Sequence, residues 1–167
     1  MKVEKYFFKD WEDSETGLVI DENEDWILVK YIPVDYVIDG YKVIKKQFIE
    51  KRESSDKEKQ IEKVLKLKNI QLNKPDNFNF SDTVGLLKWV EKAYGIFEFQ
   101  DDEETELFYG KINRVDSEKL IIDMINSDGS VDSNYDYEYN IQKIRIITFE
   151  SDYHKSIQLL WKDKLKD

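Results

Sequence analysis

The chain has 167 residues, 40% hydrophobic and 14% aromatic, enough apolar material to give one domain or two small ones a real core. Against 26 Lys and Arg stand 36 Asp and Glu, a formal charge of −10. That speaks against nucleic-acid binding, which needs a basic face to displace counterions from phosphates. With no Cys and one His, disulfide frameworks, thiolate nucleophiles and most Cys- or His-based metal sites fall away.

The chain opens Met1-Lys2-Val3-Glu4-Lys5-Tyr6, charged at once and without an apolar signal core. The longest apolar runs, such as Leu120-Ile121-Ile122, are far short of a bilayer span. A cytoplasmic protein with no membrane contact is the expectation. Trp26-Ile27-Leu28-Val29-Lys30-Tyr31-Ile32 reads as a strand ended by Pro33. Asp39-Gly40 and Asp128-Gly129 are hairpin signals. Ser55 or Asp56 caps a helix to about Lys68, with Ile61, Val64, Leu65 and Lys68 on one face. Residues 69–80, rich in Asn and bearing Pro75, form the connector. Ser81 or Asp82 caps a second helix that Gly95 closes, with Val84, Leu87, Val90 and Glu91 on one face. Tyr135-Asp136-Tyr137-Glu138-Tyr139-Asn140 alternates with period two, which places three tyrosines on one strand face. Gln142 to Phe149 reads as a strong strand. A short third helix follows Ser151 or Asp152, with Ile157, Leu160 and Trp161 inward. The expected core includes Trp26, Ile27, Val29, Leu120, Ile122, Ile144, Ile146 and Trp161.

Self-comparison suggests a repeat. Gly17-Leu18-Val19-Ile20 and Gly110-Lys111-Ile112-Asn113 each follow an acidic, threonine-containing turn, at an offset of 93. At that offset Ile27-Leu28-Val29 lies over Leu120-Ile121-Ile122, Asp35 over Asp128 and Asp39 over Asp132. Short strands joined by tight turns need either curvature or a covering helix to bury their apolar face. The fold class expected is therefore α+β: two small, strongly bent β-barrel units, each with a flanking helix, related by an internal repeat. The units are 1–72, a first barrel with a C-terminal helix, and 73–167, a second barrel with an N-terminal helix and a short C-terminal one.

The Gly-x-Ile strand, the Asp-Gly turn and the closing Ile144-Arg145-Ile146-Ile147-Thr148-Phe149 strand resemble an uncharacterised bacterial family of tandem Sm-like small β-barrels. The resemblance implies an Sm-like fold for each unit. RNA binding does not carry over, because the stretches Val115 to Leu120 and Asn140 to Lys143 lack the Arg-Gly pair of RNA-binding Sm proteins.

Candidate sites are few. His154 has Ser151, Asp152 and Ser156 nearby, but no Gly-x-Ser-x-Gly elbow exists, so it reads as a surface or helix-cap histidine. Asp21-Glu22-Asn23-Glu24-Asp25 and Asp128 to Asn134 resemble calcium loops but miss the sixth-position Gly and twelfth-position Glu, and read as solvated turns. Asp101 to Glu106 reads as an acidic hairpin tip. The lysines at 57, 59, 63, 66 and 68 read as an exposed helix face. No phosphate-cradling glycine pattern occurs. No catalytic residue, metal ligand or cofactor is expected.

The functional reading is a non-enzymatic protein-interaction module, monomeric or a small homo-oligomer. Its candidate partner surface is Asp132, Tyr135, Asp136, Tyr137 and Glu138, where aromatic and acidic groups alternate. One rival is an acidic inhibitor or immunity protein covering a basic toxin, since residues 74–167 carry net −8 against −2 for the rest. The other is a hydrolase using a pair of carboxylates.

Overall fold

A computed structural model describes residues 1–167. The chain divides into two compact units, Met1–Asn79 and Phe80–Asp167.

The first unit holds β1 (Val3–Phe8), β2 (Ser14–Glu22), β3 (Trp26–Tyr31), β4 (Tyr41–Lys45), β5 (Ile49–Glu53) and α1 (Asp56–Leu67). The second holds α2 (Thr83–Tyr94), β6 (Phe97–Gln100), β7 (Phe108–Asp116), β8 (Lys119–Ile125), β9 (Val131–Asn140), β10 (Ile146–Phe149) and α3 (Asp152–Lys164). Hydrogen-bonded order is β5-β1-β2-β3-β4 in the first unit and β10-β6-β7-β8-β9 in the second. Every ladder within them is antiparallel.

This corrects the expected architecture. The ten strands make open antiparallel sheet, with three helices, and neither order closes into a ring. Two small closed Sm-like barrels are not formed. The physical reason lies in strand length and cover. β2 and β7 run nine residues and β9 ten, longer than the short strands that made curling necessary. Helices then bury the apolar faces: α1 packs on β1, α2 on β6 and β10, and α3 on β10.

The helix ends follow local chemistry. Glu58 accepts from the Ser55 backbone N–H at 2.8 Å, a capping arrangement that starts α1. Glu62 Oε1 accepts from Val3 N–H at 2.9 Å and ties α1 to β1. Asp82 caps α2 by accepting from Gly85 N–H at 2.7 Å, and Gly95 ends it at φ 89°. Ser151 Oγ accepts from His154 N–H at 3.1 Å to start α3.

Val3, Leu18, Ile32, Ile61 and Leu65 form one core cluster in the first unit. Ile96, Tyr109, Ile125, Ile157 and Trp161 form one in the second. All eight expected core residues are buried. Two readings of α3 differ from the structure. Leu160 is 45% exposed, and His154 is fully buried.

No helix is long and apolar enough to cross a membrane.

Candidate functional site

The tyrosine-bearing surface is built on β9, the terminal strand of its unit's order, so its outer edge carries no ladder partner. Its inner edge pairs with β8: Leu120 with Tyr139, Ile121 with Glu138 and Ile122 with Tyr137. The register then shifts, and the next pair is Met124 with Asp132. Two steps along β8 correspond to five along β9, so β9 bulges by three residues.

The bulge decides which side chains meet. In a regular strand, residues five apart face opposite sides. Here Asp132 and Tyr137 both follow the Ile122 and Met124 face, and Tyr137 Oη donates to Asp132 Oδ2 at 2.8 Å. That carboxylate raises the Tyr137 phenol, since it accepts a hydrogen bond from the neutral hydroxyl and its charge would repel the phenolate. Asp132 Oδ1 also accepts from Asn134 N–H at 3.2 Å.

The three tyrosines do not behave as one face. Tyr139 packs inward, its ring centroid 4.5 Å from Phe108 and 5.1 Å from Phe99. Burial, then the nearby Asp101 carboxylate, pushes its phenol up. Tyr137 is half-buried. Tyr135 lies within the bulge, 67% exposed, edge-on to Tyr137 at 4.9 Å. Residues Tyr135 to Tyr139 line a shallow hollow of about 480 Å³.

Two acidic residues of the surface have cation partners that the sequence reading did not name. Arg114 Nη2 meets Asp136 Oδ2 at 2.8 Å, and Lys119 Nζ meets Glu138 Oε2 at 3.2 Å. Both cations lie near the β7–β8 turn, and only the ladder register brings them opposite β9. Asp132 has no such cation.

The other candidates are engaged structurally. Asp21 pairs with Lys74 at 2.9 Å, and Glu22 with Lys46 at 2.7 Å and Arg52 at 3.0 Å. Hydrogen bonds from Arg52 and Lys46 hold the Glu22 carboxyl down at about 2. Asp128 Oδ1 accepts from Ser130 N–H at 2.9 Å as a turn residue. No group of three His, Cys, Asp or Glu side chains is disposed to hold a metal ion.

His154 is a packing residue. Its Nε2 lies 3.1 Å from Ile96 O, and its ring sits 5.7 Å from that of Tyr94. Ser151 contacts its backbone N–H rather than its imidazole, so no nucleophile–base pair forms there. Burial lowers the His154 pKa and favours the neutral ring.

Comparison with known proteins gives no match to a family model, a curated protein or a solved structure.

Proposed function

We propose that the chain is a non-enzymatic protein-interaction module that takes a partner segment along the outer edge of β9. The observation that carries this reading is the exposed Tyr135, stacked edge-on with Tyr137 on a terminal strand. An unpaired strand edge offers a row of N–H and C=O groups to an incoming strand, which supplies affinity, while adjacent side chains supply selectivity. Tyrosine suits such a role because it contributes a large, stiff contact area at little entropic cost.

The test replaces Asp132, Asp136 and Glu138 together by Lys and compares affinity capture from native lysate with that of the wild-type chain, after confirming an unchanged melting temperature. A protein recovered by the wild type and lost by the variant supports the reading. Equal recovery by both, or a photo-crosslinker at position 135 that captures nothing while one elsewhere does, overturns it.

A further inference from the structure

We propose that the corner between Tyr135 and Tyr137 seats an arginine side chain of the partner segment; this rests on the β9 interaction reading above and names the chemistry it recognises.

Several aromatic rings of the chain, though not most of them, are faced by its own cations. Lys42 lies 3.7 Å from the Tyr31 ring, and Lys5 and Lys51 lie 5.3 and 5.5 Å from Phe7. Lys45 covers Trp26 at 5.4 Å, Lys111 covers Trp161 at 5.3 Å, and Arg52 stands 5.9 Å from Tyr6. Tyr135 and Tyr137 have no such cation, although Tyr135 is 67% exposed. A ring face is negative at its centre and attracts a cation within roughly 6 Å.

The carboxylates point the same way. Arg114 and Lys119 each take one, at Asp136 and Glu138. Asp132 has no counter-cation, and its two oxygens are oriented by the Tyr137 hydroxyl and the Asn134 N–H. Asp101 and Glu106 act on the neighbouring Tyr139, so the surrounding field is negative as well. A fixed carboxylate beside an uncovered ring matches a guanidinium. That group is planar enough to stack on the ring and still donates in its own plane to an oxygen, whereas an ammonium is a hydrated point charge. Tyr135 and Tyr137 both line the hollow, and Asp132 flanks it through its bond to the Tyr137 hydroxyl.

The experiment follows ring and backbone NMR signals of the full chain with two probes. One is N-acetyl-arginine methylamide, which has the side chain but cannot extend a sheet. The other is the blocked pentapeptide Thr-Val-Arg-Val-Thr, with a Leu-for-Arg version and a Lys-for-Arg version for comparison. The expected result is saturable movement of the Tyr135 and Tyr137 ring signals with both arginine probes. Affinity should weaken about tenfold when Leu replaces Arg, and should fall with added salt. Tyr135→Ala should abolish the ring response and Tyr135→Phe should keep it. Equal binding of the Leu and Arg peptides, or silent tyrosine signals at millimolar arginine amide, overturns the seat. The two readings fail separately. β9 amide shifts caused equally by the Leu peptide keep the strand edge and remove the arginine seat. Ring shifts from the arginine amide, with no β9 amide response to any peptide, do the reverse.

Discussion

Gly95 lies against the indole of Trp161, so closely that a Cβ on Gly95 would stand 2.5 Å from Trp161 Cζ3. Gly95 also holds φ 89°, where a side chain is strained. Gly95→Ala therefore combines a left-handed backbone cost with a forced shift of a core indole. The expected loss is about 2–4 kcal/mol, read as a lower denaturation midpoint and a changed near-UV signal. An unchanged midpoint would show that α3 yields freely.

Buried His154 links stability to pH. Its folded pKa is lowered, mainly by burial, with Lys155 acting in the same direction and Glu150 and the Ile96 carbonyl opposing. The unfolded chain thus binds the proton more readily. The stability associated with His154 is complete above the unfolded pKa of about 6.5, and is lost as pH falls toward the folded value. Denaturant midpoints should decline between about pH 7 and pH 5.5. His154→Gln retains a donor for Ile96 and does not titrate, so its decline should be flatter. An identical slope would place the titration elsewhere.

Lys42 is 6% exposed and meets Glu15 Oε2 at 2.8 Å while covering the Tyr31 ring. Glu15→Ala strands that ammonium and should cost about 3 kcal/mol. Adding Lys42→Met should recover most of the loss, because the buried charge goes with its partner. Additive losses in a double-mutant cycle would contradict the coupling.

Leu120 and Ile146 are fully buried. Truncating either to Ala should cost about 2–5 kcal/mol through lost burial and residual cavity, checked by urea denaturation. Losses below about 1 kcal/mol would mean that the sheet collapses around the gap.

Much of the local structure was legible because it rests on local chemistry. Ser55, Asp82 and Ser151 begin helices for reasons visible within four residues, and Gly95 ends one by its φ. Closure was not legible, since it depends on which strands meet. β1 escaped notice because its alternation is broken by Glu4, which is 3% exposed. Arg52 reaches it from β5 at 2.7 Å, Lys2 at 2.7 Å, and the Tyr6 hydroxyl donates at 2.9 Å. These bonds draw the Glu4 carboxyl below its usual range despite burial. β6 hides in the same way, with Glu98 and Gln100 buried beside Phe97 and Phe99. His154 read as a surface residue because its acceptor, Ile96 O, lies 58 positions away. On β9 the residues of the candidate surface were visible, but not their arrangement. Strict alternation predicts three equivalent tyrosines, and the bulge sets the exposed Tyr135 apart from Tyr137 and Tyr139, which are both half-buried.

The bulge also uncouples chain length from pairing. Between Asp132 and Tyr137 the strand carries three residues more than β8 requires, so β9 can lengthen or shorten there while Ile122–Tyr137 and Met124–Asp132 keep their register. Sequence change confined to residues 133–136 alters what the outer edge displays without moving Leu120, Ile121 or Ile122 beneath it. The strand thus separates an adaptable rim from a fixed foundation, and variation in what the edge displays costs the fold little.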